Sequence, residues 1–359
     1  MKKRALLYNP YLDVLGGGEK HVLSIMGVLA EHGYAIDIAW DDKSILEKLQ
    51  TQLRCNVTNF SIIPNFINTN DRSLRLQKTS NYDVFVYVTN GSYFQSNAQR
   101  NVIFSMYPQK NLYNLYPTNW LKLRNFGIIT NGEFTAEKVD MWLHRKSFVV
   151  YPYIDQAFFA EGQGKDLLIL SVGRIFKHLH SKRQDVLINA FKKLKSENQE
   201  FTRFKLMIIG GLKDEDTSYF QELQKSAEGS PDIEFHTNIS YEDLVGYYHS
   251  ALIYWHAAGF GYDEDKNPEN VEHVGISPLE AMASRCLTLC YDAGGPKRYI
   301  QNGKTGYTYT SIDDLIQKTI RGYAQINKDE GLVDEARKYV STHFSYPVFK
   351  NRVEQFFHL

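Results

Sequence analysis

Apolar residues along this chain gather in short runs, each separated from the next by a glycine- or polar-rich turn and a stretch of helical periodicity. In the first half ALLYN (5–9), AIDIAW (35–40), DVFVYVT (83–89), NVIFSMY (101–107) and FGIIT (126–130) have the length and branching of buried strands. Between the first two, the turn LGGGEK (15–20) opens an amphipathic run closed by Gly33, which makes a βαβ unit. FVVYPYID (148–155) ends this half, and the irregular stretch to Gly164 reads as a linker. A second alternation starts at DLLILSVGR (166–174). It continues through a helix over 185–197, strand FKLMIIGG (204–211), a helix over 215–227, strand IEFHT (233–237), helix YEDLVGYYHSA (241–251) and strand LIYWHA (252–257). After the acidic loop GFGYDEDKNPEN (259–270) come a helix near 277–285 and strand CLTLCY (286–291); the tail from about Leu332 is helical, with Pro347 breaking it.

Alternating strands and helices predict two doubly wound, mostly parallel sheets, one for residues 1–155 and one for 156–339. Sheets of this kind bind ligands outside the carboxyl ends of their strands, so the loops after strands are where chemistry is sought. A length of 359 residues fits two domains, and 43% hydrophobic with 23% charged residues is the composition of an ordinary globular protein. Net charge is zero, which disfavours nucleic acid as partner. The charge is unevenly spread: residues 1–150 carry 17 Lys+Arg against 12 Asp+Glu, and the remainder 24 against 29. A basic first half suits an anionic membrane surface or acceptor, or is variation between two domains. The cysteines, Cys55, Cys286 and Cys290, have no metal-ligand spacing and read as buried thiols of a cytoplasmic protein. Neither a signal peptide nor a membrane-spanning run is legible.

Three stretches carry candidate chemistry. In LGGGEK, glycines at a helix start let backbone N–H groups approach an anion. A dinucleotide fingerprint would need a sixth-position glycine where His21 stands; Gly16 and Gly18 match, and Asp41 or Asp42 would serve as the acid. In SVGRIFKHLHSKRQ (171–184), Gly173 and Arg174 end a strand and Lys182 precedes a helix, a fork and a point charge that suit a diphosphate; Lys177 and Arg183 read as solvated loop charges. In EHVGISPLE (272–280), Ser277, Pro278 and Glu280 have the form of a capping box, with Glu280 bonding back to the Ser277 N–H. Beside a diphosphate, however, Glu280 is suited to the hydroxyls of a ribose, Glu272 to those of a sugar, and the amides of Gly275 to Ser277 to an anion.

The order SVGR, Lys182, IIGG, HTNISYEDLVGYYHSA, EHVGISPLE, AGGPKRYI and NGKTGY resembles retaining glycosyltransferases of the GT-B fold, glycosyltransferase family 4, of the bacterial polysaccharide or lipid-linked glycan type. The likeness is carried by residues 166–308 and, in the first half, by LGGGEK alone. It implies an α/β GT-B architecture of two facing Rossmann-like domains with a deep cleft, an N-terminal acceptor-side domain and a C-terminal nucleotide-sugar domain. A C-terminal helix, about 340–359, would pack back on the first domain. It implies catalytic roles for Glu272, Arg174 and Lys182. Donor contacts would come from Gly17, Gly18, Gly173, Gly210, Asn238, Ile239, Val274, Gly275, Ile276, Ser277 and Glu280. It also implies metal-independent hexosyl transfer, with UDP-glucose the expected donor, a carbohydrate or lipid-linked saccharide as acceptor, no cofactor, a cytoplasmic location and peripheral contact with the inner membrane surface. The acids of DEDKNPEN then read as a solvated rim. Where many relatives place an N-terminal-domain histidine, this chain offers Tyr107, and His21 and His144 lie in other contexts. A sugar-nucleotide-binding protein without transfer activity and an NAD-dependent enzyme are the alternatives.

Overall fold

The computed structural model describes residues 3–113, 117–162, 164–177 and 181–359. The chain divides into two compact units, residues 1–152 with 349–359, and residues 153–348. Each is built on one all-parallel sheet.

The first unit has seven strands: β1 (Arg4–Tyr8), β2 (Ala35–Ala39), β3 (Phe60–Ile63), β4 (Val84–Val88), β5 (Arg100–Ser105), β6 (Phe126–Thr130) and β7 (Phe148–Val149), in the order 3-2-1-4-5-6-7. β4 is buried along its whole length because parallel sheets are covered on both faces, which is why its sequence is a continuous apolar run. The last helix, Tyr346–Phe357, adds its carboxyl-terminal turns to this unit: Phe349 and Phe357 are buried, Arg352 donates to the Val149 carbonyl at 2.9 Å and lies over Phe148, and Lys350 pairs with Glu31 at 2.6 Å. Gly127 leaves the space that Phe356 fills; a Cβ there would lie 2.9 Å from its ring.

The second unit has six strands: β8 (Asp166–Val172), β9 (Lys205–Gly210), β10 (Ile233–Thr237), β11 (Ala251–His256), β12 (Leu287–Tyr291) and β13 (Tyr307–Tyr309), ordered 10-9-8-11-12-13. In both units the order reverses beside the first strand of the set, between β1 and β4 and between β8 and β11. At such a switch point neighbouring loops leave the sheet in opposite directions and open a crevice. Helices Gln184–Glu197 and Ile312–Ile326 press Val186, Phe191, Leu315 and Ile316 onto the second sheet, where they join Ile169, Trp255 and Leu289 in one core.

Two local expectations fail. Pro347 lies in the first turn of the last helix, where a missing N–H costs nothing, and the break falls before it, at Phe344–Ser345. The strands Phe60–Ile63 and Tyr307–Tyr309 and the helix Ile312–Ile326 escape the sequence pattern. The strands are too short to show periodicity, although the helix carries a Ser311 cap that accepts from the Asp314 N–H at 3.1 Å.

Candidate functional site

The candidate site is built on the switch point of the second sheet. β8 ends at Val172 and is followed by Gly173 and Arg174; β11 ends at His256. Glycine is required at two places here by space. A Cβ on Gly210 would sit 2.1 Å from the Gly173 carbonyl oxygen, and one on Gly173 would sit 2.7 Å from Cγ of Lys182. The IIGG and SVG motifs therefore let two strand ends approach each other and let the Lys182 stem lie against backbone.

That stem delivers its ammonium to Glu272, with Lys182 Nζ to Glu272 Oε2 at 2.5 Å; the two side chains are only 18% and 14% exposed. His256, with its side chain 2% exposed, binds the same oxygen through Nε2 at 2.7 Å. Burial pushes the Glu272 carboxyl up, but the charge of Lys182 and the hydrogen bond from His256 outweigh it and hold the group well below the ordinary carboxylate range. An ionised carboxylate only accepts, so His256 donates from Nε2. Burial lowers the imidazole pKa, with the bond to Glu272 opposing, so the ring is neutral at pH 7 and its Nδ1 is an acceptor, 3.4 Å from the Tyr254 hydroxyl. Sequence reasoning missed His256. Its signal was available: it ends a strand at the same edge as Gly173.

Glu280 stands one helical turn inside Ile276–Ala283. The capping box does not form: the helix starts at Ile276, one residue before Ser277, because Gly275 takes the N-cap with φ of 84°. A Cβ on Gly275 would also meet the Tyr299 hydroxyl at 2.6 Å. Glu280 lies beside Tyr248, whose phenol is held well above its ordinary range by burial first and by Glu280 second. Tyr248, Tyr254 and His256 form a column of near-parallel buried rings, with centroids 5.9 Å and 6.2 Å apart, and the two acids stand at its ends. The column comes from a helix and the strand after it, so no single motif reveals it.

The loop holding Glu272 is clamped by the AGGP turn. Gly295 N–H donates to the Glu272 carbonyl at 2.8 Å, and a Cβ on Gly294, at φ of 65°, would lie 2.0 Å from that oxygen. Glu264, expected in a solvated rim, is instead part of this clamp: it accepts from the Gly294 N–H at 2.6 Å and from Arg298 at 3.1 Å, with its side chain 14% exposed. Burial raises its pKa, and the Gly294 N–H and Arg298 lower it further than that. Arg183 likewise departs from expectation. It pairs with Asp185 at 3.0 Å and donates to the Phe260 carbonyl at 2.7 Å, pinning the start of the acidic loop. Lys177 is exposed and pairs with Glu222.

Arg174 is exposed, stacks over Phe176 at 4.8 Å and, among the described residues, pairs with no carboxylate. Residues 178–180, between it and Lys182, lie outside the described residues. Asn238, at φ of 54°, bonds the backbone of Leu212 through both amide atoms at 3.0 Å and so ties the β9 and β10 exits, with Ile239 next to it. The helix-start amides of Val274, Gly275, Ile276 and Ser277 follow Glu272 directly. Arg174, Lys182, Gly173, Gly210, Asn238, Ile239, Glu272, Glu280 and these four residues thus all stand at the end of a strand, or in the loops and early helical turns that follow strands, of one sheet. Gly17 and Gly18 belong to the first unit, at the start of helix Gly17–Glu31, where a Cβ on Gly18 would meet Met106 Sδ at 2.2 Å. His21 is a core residue between Phe104 and Phe349, its pKa lowered by burial to about 3. His144 is exposed at a helix end, and Tyr107 follows β5. Cys55, Cys286 and Cys290 are buried and free.

Two acids, a lysine and an exposed arginine thus stand at a parallel-sheet switch point, and the fold is that of GT-B glycosyltransferases. Residues 154–340 match the family described as glycosyl transferases group 1, and the chain belongs to that family. It is similar to human alpha-1,3/1,6-mannosyltransferase ALG2, with 26% identity over 67% of this chain and 61% of that protein. It is also similar to a Caenorhabditis elegans GDP-Man:Man(3)GlcNAc(2)-PP-Dol alpha-1,2-mannosyltransferase, with 30% identity over 61% of this chain and 47% of that one. The chain thus matches less than two thirds of the length of these relatives. Among solved structures it resembles Anabaena Alr3699/HepE in complex with UDP and glucose, at TM-score 0.70 and 13% identity with 99% of both chains covered. A glycosyltransferase from Rickettsia africae gives TM-score 0.74 at 15% identity, covering 99% of this chain and 98% of that one.

Proposed function

We propose that this protein is a retaining glycosyltransferase of family 4 that moves a mannosyl residue from GDP-mannose to a saccharide acceptor, lipid-linked in the first instance. Mannose and guanosine are preferred to the UDP-glucose expected from sequence because the curated relatives named above are mannosyltransferases, one of them named for GDP-mannose. The UDP-bound neighbour, at 13% identity, speaks for fold alone.

The observation that carries the reading is the Lys182–Glu272–His256 cluster at the switch point, beside an arginine without a carboxylate partner among the described residues. Arg174 and Lys182 are assigned to the donor diphosphate, where their charge stabilises the departing nucleotide. Glu272 is assigned to the transferred hexose, Glu280 to the ribose, and the backbone of Gly173 and Val274 to Ser277 to phosphate oxygens. Gly210, Asn238 and Ile239 are assigned to the base. The test is release of GDP from GDP-mannose, with and without lipid-linked acceptor, against UDP-glucose and ADP-glucose, with product anomery read by NMR. Turnover confined to GDP-mannose is expected. Donor binding without transfer to any acceptor would favour a binding protein, and an inverted product would remove the retaining assignment.

Peripheral membrane contact belongs to the same proposal. No helix among the described residues is long and apolar enough to cross a membrane. The short helix Pro117–Leu123, however, exposes Trp120 (55%) and Leu121 (50%), with Lys122 and the exposed Arg124 beside them. Paired aromatic and aliphatic side chains among cations suit an anionic bilayer surface. Co-sedimentation with anionic vesicles, lost in Trp120→Ala/Leu121→Ala, is the expected result; equal pelleting of parent and variant contradicts it.

A further inference from the structure

We infer that His256 is a positioning residue, a buried neutral imidazole that fixes one oxygen of Glu272 so that the other is presented to the sugar while Lys182 turns to the diphosphate. The inference rests on the reading above and deepens it. Both cluster contacts fall on the same carboxylate oxygen: Lys182 Nζ at 2.5 Å and His256 Nε2 at 2.7 Å, both from Oε2. Oε1 takes part in neither contact. A ligand phosphate competes directly for the Lys182 ammonium, because an ammonium is a mobile point charge on a flexible stem. When it leaves, Glu272 loses its strongest attraction and would gain freedom to rotate and to take up a proton. The Nε2–H of His256 does not leave with it. Its ring is buried at the end of β11, near-parallel to that of Tyr254 at 6.2 Å, and the strand around it is held by a bond from the Tyr309 hydroxyl to its carbonyl at 2.9 Å.

The groups facing this pair come from several elements: Lys182 before helix Gln184–Glu197, Tyr254 on β11, Cys290 on β12, in register with His256, and Tyr309 on β13. Of these, only Lys182 is a cation at neutral pH, and Cys290 and Tyr309 are pushed above their ordinary ranges by burial. None can replace the donor that His256 provides. The tautomer is set by the Nε2–H that donates to Glu272 at 2.7 Å; the single hydroxyl hydrogen of Tyr254, 3.4 Å from Nδ1, is directed to the Val172 carbonyl at 3.2 Å and ties this strand to the end of β8.

Two measurements test this. In the ¹⁵N spectrum of the histidine rings, with the His256 signals assigned by their loss in His256→Gln, the ring should be the neutral Nε2–H tautomer from about pH 7 to 8, and should begin to titrate only at lower pH than a free imidazole with its pKa near 6.5. An imidazolium titrating in that range, or the Nδ1–H tautomer, overturns the inference whether or not a donor has been found. In turnover, His256→Leu should lower kcat about tenfold or more and move its acid limb to higher pH, with donor KM little changed. His256→Gln, which can still donate an N–H, should recover most of both. Leu and Gln variants that fall equally, with the parental pH profile, would reduce His256 to a packing role. Absence of turnover in the parent with every nucleotide sugar defeats the proposed function, and the ring spectrum still decides the geometry.

Discussion

The two units share a framework and differ in what they place on it. Both are parallel sheets whose order reverses beside the first strand. At the edge of the second, strand ends, loops and a helix start carry an arginine, a lysine, a histidine and two glutamates, three of them joined through one oxygen. Directly after strands of the first unit stand Asn9 (β1), Thr89 (β4) and Asn131 (β6), with Asp41 and Asp42 further into the loop after β2 and Glu19 accepting from the Gly16 N–H at the LGGGEK helix start. Asn131 donates to the Met106 carbonyl at 3.1 Å, and Asn9 accepts from the Tyr11 N–H at 2.9 Å. The one histidine buried in the first unit, His21, is surrounded by phenylalanines and serves the core. The same strand order therefore says where a ligand would sit, and only the residues can say which kind: the second unit's edge holds a buried lysine–carboxylate–histidine cluster, and the strand ends of the first hold amide and hydroxyl side chains.

That contrast can be broken in order of expected effect. Lys182→Ala removes a charge from the departing diphosphate and leaves Glu272 buried beside His256 alone. A loss of about 10²- to 10³-fold in kcat/KM is expected, read in steady-state turnover. A loss below about threefold would separate Lys182 from the chemistry. Gly210→Ala forces a methyl to within 2.1 Å of the Gly173 carbonyl. It should destabilise the second unit by about 2 kcal/mol and lower its calorimetric transition by roughly 5 °C, leaving the first unit's transition in place. A smaller effect is expected in the first unit on acidification. His21 has a folded-state pKa of about 3, below the unfolded value near 6.5, so its contribution is intact above pH 6.5 and is lost as pH falls below it. At pH 5.5 that is about 1.4 kcal/mol relative to neutrality. Urea unfolding of His21→Leu should show a flatter pH dependence than the parent over this interval; parallel curves would mean that the ring is protonated in the fold. Smallest of all, Trp120→Ala/Leu121→Ala should leave the urea midpoint within about 0.5 kcal/mol of the parent, since both side chains are already in water.

What was legible follows the same divide. Long buried strands such as DLLILSV announce themselves as unbroken apolar runs, and glycine-rich strand exits mark the ligand edge. Arg174, Lys182, Glu272 and Glu280 are therefore legible as candidates by position, and the structure brings Lys182 and Glu272 into contact. Less legible was anything assembled from separate elements. The ring column under the two acids joins a helix to a strand, and the clamp on Glu272 joins Glu264 to Gly294 across 30 residues. The capping box failed for a local reason: Gly275 offers a left-handed N-cap two residues before Ser277, and helix propensity cannot see that the Tyr299 hydroxyl occupies the space a side chain would take.

The central claim is that the carboxyl edge of the second sheet is a nucleotide-diphosphate sugar site. A crystal structure of the protein soaked with GDP-mannose tests it most directly. The account predicts a diphosphate bonded to Arg174 and Lys182, ribose hydroxyls on Glu280, and Lys182 moved off Glu272 while His256 keeps its bond. A diphosphate bound elsewhere, with the Lys182–Glu272 pair intact, would contradict it.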